Sequence, residues 1–154
     1  MAHFPKTSRP KPPPPGNEEA STVLNLGEFQ DVETLTLSEA SLVLNAIVQR
    51  RRERAAKVRP DGAPQMNLNE TEMLHTTLQY LDHFSRFTRK ENVEAVERLL
   101  RSHRELEKFE RAQLGSLCCE NADEAKTLIP SLQDKIDDAD LQDLLDEITK
   151  LQTK

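Results

Sequence analysis

The segment SLCCENADEAKTLIPSL, Ser116 to Leu132, gathers residue types from which a thiol or metal centre is made: Cys118 beside Cys119, then Asp123 and Glu124. A structural zinc site needs four ligands at short spacing, and the nearest histidine, His103, lies well outside that range. The two cysteines instead end an apolar stripe of helical period, Phe109, Ala112, Leu114 and Leu117. At least one of them is therefore expected to act as a small buried hydrophobe rather than as a reactive thiol. The acidic run from Asp134 to Glu147 fails as a calcium loop, because Ala139 stands where glycine is needed and Leu145 where the bidentate glutamate belongs. Counting from Asp138 fails again, at Asp143 and Thr149. His75, His83 and His103 share no repeating spacing on one helix face, and neither HExxH, GxSxG nor a phosphate-cradling glycine loop occurs. Without a nucleophile and base pair, the expectation is a chain with no catalytic residues, no metal and no cofactor.

The remaining candidate is basic. QRRRERAAKVR, Gln49 to Arg59, places Arg50, Arg51, Arg52 and Arg54 where they could contact nucleic acid or act as a nuclear-import address. Cations also complement the negative end of a helix, so the same run has a purely structural explanation. The net charge of −6 over 154 residues opposes an autonomous nucleic-acid binder, whose surface is normally strongly basic. The densest apolar run, Leu42 to Val48, is broken by Asn45 and falls far short of the ~20 residues that span a bilayer, so no membrane association is expected. The N-terminal MAHFPKTSRPKPPPPG lacks the apolar segment of a secretory signal, which points to an intracellular protein whose two cysteines stay reduced.

The elements that would position these residues follow from composition and period. Residues 1–21, with Pro12 to Pro15 in one run, are expected to form a disordered tail, with a ligand for a proline-recognition domain as the alternative. TVLNLGEF, Thr22 to Phe29, alternates as one short strand that has no evident strand partner in the chain. Such an orphan would complete a neighbour's sheet. Thr36 and Glu39 form a capping box ahead of a first helix carrying Leu37, Ala40, Val43, Leu44, Ile47 and Val48 to about Arg54. Together these residues make a unit over 22–54 that is free to pack on something else.

Pro60, Gly62 and Pro64 mark a flexible loop over 55–68. Asn69 with Glu72 then caps a helix with Leu74, Leu78, Leu81 and Phe84 buried, ending near Phe87. Thr88 with Glu91 opens a third helix, and after a break near residues 102–104 a fourth runs to about Cys118. Asn121 with Glu124 caps a short fifth before Pro130, and Asp137 or Asp138 a last one carrying Leu141, Leu144, Leu145, Ile148 and Leu151. The fold class is all-α, a helical bundle over 69–154 with an extended N-terminal strand and helix arm.

LQYLDHFSRFTRKENVEAVERLL, Leu78 to Leu100, FERAQLGSLCCENADEAKTLIPSL, Phe109 to Leu132, and the upstream GEFQDVETLTLSEASLVL closely resemble the fourth subunit of eukaryotic RNA polymerase II. The blocks keep the family's order from about Val23 to the end. The resemblance implies an HRDC-like helical bundle and a non-catalytic subunit that pairs with the OB-fold-containing seventh polymerase subunit. Together they form the stalk on the RNA polymerase II core, acting in transcription initiation and in handling nascent RNA. A nuclear location follows, with shuttling to the cytoplasm left open. On this reading Val23, Leu24, Leu26, Phe29, Leu37, Val43, Leu44 and Ile47 meet the partner, while Leu78, Leu81, Phe84, Phe87, Leu99, Phe109, Leu117, Leu128 and Leu132 form the core. The related stalk subunit of RNA polymerase III is one alternative, although FSRF followed by LIPSL favours polymerase II. An autonomous HRDC-like nucleic-acid-binding module is the other.

Overall fold

The computed structural model describes residues 18–58 and 71–152, with the side chains of Lys57 and Val58 left aside. Two strands, β1 (Glu19–Ala20) and β2 (Leu24–Asn25), precede a 3-10 turn at Gly27–Phe29 and six helices. These are α1 (Leu37–Val58), α2 (Glu72–Phe84), α3 (Lys90–Ser102), α4 (Lys108–Leu117), α5 (Ala122–Leu128) and α6 (Asp138–Leu151), with a second 3-10 turn at Pro130–Leu132 between the last two. The molecule is thus an all-α bundle carrying a minimal hairpin. α1 runs to Val58, past the expected end near Arg54, so residues 55–58 of the expected loop are helix, while the proline-rich run, residues 59–68 and Asn69 lie outside the described residues.

Apolar period and end chemistry account for the helices. At α1, Thr36 Oγ1 accepts from the Glu39 N–H and the Glu39 carboxylate accepts from the Thr36 N–H at 2.7 Å, the reciprocal capping box read from the sequence. Asn121 Oδ1 accepts from the Glu124 N–H at 2.8 Å and starts α5. Other starts differ from expectation. Thr71 caps α2, accepting from the Leu74 N–H. α3 has Arg89 at its N-cap with no side-chain bond, so the Thr88 and Glu91 box does not form. Phe87 explains the shift: it is 2 % exposed, and its N–H donates to Ser38 Oγ, holding the chain extended past the end of α2. Asp137 stands at the N-cap of α6 without a side-chain bond, contributing only its charge at the positive end of the helix.

The core lies between α3, α4, α5 and α6. Leu106, Leu114, Leu132, Leu141, Leu145 and Ile148 are each at most 1 % exposed, with Val93, Val96, Leu100, Ala125 and Ile129 around them. One carboxylate shares this interior. Glu110 is fully buried, accepts from the Glu107 N–H at 2.7 Å and from Lys135 Nζ at 2.8 Å, and so ties α4 to the segment before α6. Both of its oxygens are satisfied, which a buried carboxylate requires.

Three expected core residues are at the surface. Phe84 is 45 %, Leu117 37 % and Leu128 53 % exposed. In α5 the buried positions are Ala122 and Ala125, continued by Ile129, and at 100° per residue Leu128 projects roughly a quarter-turn away from that line. Leu117 closes α4, and Phe84 closes α2, where both helices open onto a groove described below. Leu81, Phe87 and Leu132 are buried, while Leu78, Leu99 and Phe109 are half-buried.

Candidate partner-binding surface

The cysteine pair is structural. Cys118 ends α4 in the left-handed region at φ 50°, its N–H donating to the Leu114 carbonyl, and Cys119 is 3 % exposed. Burial pushes the Cys118 thiol above its ordinary 9.0, and burial followed by the nearby Glu124 charge does the same to Cys119. Both therefore stay protonated at neutral pH, the unreactive state. Among the described residues no cluster of His, Cys, Asp and Glu could hold a metal ion, and no helix is long and apolar enough to cross a membrane.

The surface chemistry lies instead on the arm, residues 18–36, and on the helices beneath it. The strand expectation needs correcting: only Leu24–Asn25 is strand, and it pairs antiparallel with Glu19–Ala20, in the registers Glu19 to Asn25 and Ala20 to Leu24. The ladder partner lay within the stretch assigned to the tail, in a two-residue segment too short to show a period. Gly27 lets the chain turn away at φ +57°, and a Cβ there would stand 2.5 Å from Glu18 Oε1, so glycine answers both backbone and space.

Polar contacts then fasten the arm to α4. Thr34 Oγ1 donates to the Lys108 carbonyl at 2.7 Å, Lys108 Nζ donates to the Asp31 carbonyl and pairs with Glu33, and the Leu37 N–H donates to Ser116 Oγ. The Lys108 hydrogen bond and charge hold the Glu33 carboxyl below its ordinary 4.5. Gly115 permits the closest approach, since a Cβ there would stand 2.6 Å from Thr36 Cγ2 and 3.0 Å from Leu100 Cδ1. α1 is likewise not free. It packs along α2 and also touches α3 and α4.

What this docking leaves uncovered is apolar. Of the eight residues expected to meet a partner, Val23 is 75 %, Phe29 58 %, Val43 46 % and Ile47 39 % exposed, while Leu24, Leu26, Leu37 and Leu44 are half-buried. None enters the core. Three further residues belong to this surface and were missed. Val32 and Leu35 continue from Phe29 at three-residue spacing, and Tyr80 lies one helical turn before Phe84, with ring centroids 4.6 Å apart. Their spacing was legible, but it reads equally as a buried stripe until the neighbours are placed. Arg50, Arg51, Arg52 and Arg54 are all exposed on α1.

Two adjoining grooves run between the arm and the bundle. Ala20, Leu26, Phe29 and Val32 line the first, about 480 Å³, and Leu35, Tyr80, Phe84 and Leu117 line the second, about 710 Å³. Thr34 and Phe109 line both, so the two form one trough. Phe109, expected in the core, is its half-buried floor.

The sequence profile of the RNA polymerase Rpb4 family matches residues 34–152. The chain is 43 % identical over 136 residues to the DNA-directed RNA polymerase II subunit rpb4 of Schizosaccharomyces pombe, covering 87 % of this chain and 92 % of that one. It is 56 % identical over 80 residues to the RPB4 subunit of Saccharomyces cerevisiae, covering 52 % and 36 % respectively. Subunit 4 of the Arabidopsis thaliana enzyme is 30 % identical over 136 residues, 86 % of this chain and 92 % of that one.

Proposed function

Since the chain belongs to the RNA polymerase Rpb4 family, we propose that it is a non-catalytic subunit of RNA polymerase II that pairs, through its arm and α1, with the OB-fold-containing seventh subunit. The pair forms the stalk on the polymerase core, in the nucleus, and acts in initiation and in handling the emerging transcript. One observation carries the pairing. Of eleven large apolar residues exposed among the described ones, six (Val23, Phe29, Val32, Leu35, Val43 and Ile47) come from the arm and α1. Exposed large apolar side chains concentrated on two elements of an otherwise charged chain mark a protein interface rather than a solvated face. The relatives are named as polymerase II subunits, which supports that enzyme over polymerase III.

The test is the affinity of the full chain for the seventh subunit, measured by calorimetry. Leu24→Asp with Leu26→Asp, and separately Val43→Asp with Ile47→Asp, should each weaken it by at least ~2 kcal/mol. Removing residues 1–17, which leaves β1 intact, should change it little. Failure of the wild-type chain to form any complex would defeat the pairing. RNA contact by the α1 arginines is a second reading, favoured by their common exposure. Its signature is binding by the heterodimer whose salt slope falls on Arg50→Ala with Arg54→Ala.

A further inference from the structure

The trough has a polarity that its apolar lining does not require. Three carboxylates, Glu18, Glu19 and Glu33, line the compartment beside the hairpin, and no cation lines it with them among the described residues. Lys108 engages Glu33 from outside that lining, while Glu18 and Glu19 are exposed. Among the described residues the second compartment has one charged lining residue, Arg86, and no acid. Between the two, Phe109 and Thr34 make a floor without charge. The walls bring together Tyr80, Phe84 and Phe109 with a single arginine, the composition of the centre of a protein interface, where aromatic residues and Arg are enriched and acids depleted.

We infer that the trough seats one continuous segment of the partner whose chemistry runs in a set order: a cationic side chain over Glu18 and Glu19, apolar side chains across Phe29, Phe109 and Phe84, and a carboxylate at Arg86. This deepens the pairing proposed above and rests on it, because it gives the partner a direction of approach and extends the interface from the arm onto the end of α2. Charge decides the class of occupant. A nucleic-acid backbone placed along the trough would lie against the exposed Glu18 and Glu19, and against Glu33 already paired with Lys108, with one arginine at the other end, a poor setting for phosphate. A protein segment of opposite charge order meets attraction at both ends and loses apolar surface to Leu35, Tyr80 and Phe84, which are 51 %, 51 % and 45 % exposed in the free chain.

The experiment uses the full chain and its partner, with Kd read by calorimetry at low and high salt. Phe84→Asp should raise Kd at least roughly tenfold, as loss of a central anchor does, while the free chain stays folded with a melting temperature only a few degrees lower, the cost of a partly exposed ring and its Tyr80 contact. Arg86→Glu, and Glu18→Lys with Glu19→Lys, should each raise Kd about three- to tenfold at low salt, and the loss should shrink at high salt because exposed charges are screened. A Glu or Asp to Lys scan of the partner should restore Arg86→Glu and none of the acidic reversals, which reports the direction. A wild-type complex whose Kd is unchanged by all three variants overturns the trough while leaving the pairing intact, and no wild-type complex at all overturns both. Several-fold tighter partner binding on removing residues 1–17 would assign the trough to the chain's own tail. Self-association of the free chain abolished by Phe84→Asp would assign it to a second copy. Either result overturns the proposal.

Discussion

α1 has 22 residues and α6 has 14, yet α6 buries four large apolar side chains and α1 only Val48 among its described residues. The two helices belong to regions built on different principles. α3 to α6 close around a dry cluster in which six leucine and isoleucine side chains are nearly inaccessible, with one satisfied ion pair. The arm is fastened by hydrogen bonds at defined points, and α1 rests Leu42 against the core and buries Val48, while both keep other apolar side chains outside. Burial is non-directional and carries most of the bundle's stability, whereas a hydrogen bond nets only about 1 kcal/mol but fixes geometry. The bundle is thus self-sufficient, and the arm is positioned without being buried. That is the arrangement expected of a surface awaiting a partner.

The comparison breaks most directly in the core. Leu145→Ala, at a site 1 % exposed, should cost about 2–5 kcal/mol in chemical denaturation of the free chain. Phe109→Ala should cost clearly less in the same assay, since that ring is half-buried. Equal losses would mean that the trough floor is core after all. Gly115→Ala places a methyl against Thr36, whose side chain is locked in the α1 cap, and should cost about 1–3 kcal/mol. Hydrogen exchange should locate that loosening at the start of α1 rather than in α6.

Ser38→Ala removes the acceptor of the buried Phe87 N–H and should cost roughly 1–2 kcal/mol. Ser38→Thr, which restores a hydroxyl, should recover part of that loss if its extra methyl is tolerated. The smallest effect is a pH dependence. Glu33 is held below 4.5 by Lys108, so its contribution to arm docking is present above about pH 4.5 and lost as pH falls through the lower folded value. An NMR titration of arm amides should show this loosening in wild type and not in Lys108→Ala. An arm that loosens on raising the pH instead would refute the assignment.

Much of this was written in local chemistry. The end of α4, the boundaries of α5, the box at Thr36 and Glu39, the Asn121 cap and the buried stripe of α6 depend on residues three or four apart, and such residues meet whatever else the chain does. The sequence alone could not decide which of two similar stripes faces inward. Leu81 and Phe84 share one helix and one period, but Leu81 is buried and Phe84 is left at the open end beside Tyr80. Nor could it reveal that Glu19–Ala20 would serve as the strand's partner, that Ser38 would hold Phe87 forty-nine positions away, or that α4 needs glycine at 115 to admit Thr36. The last two depend on contacts between residues far apart in the chain, whose entropy cost is met only once the whole bundle has closed, and the first on a two-residue segment too short to show a period.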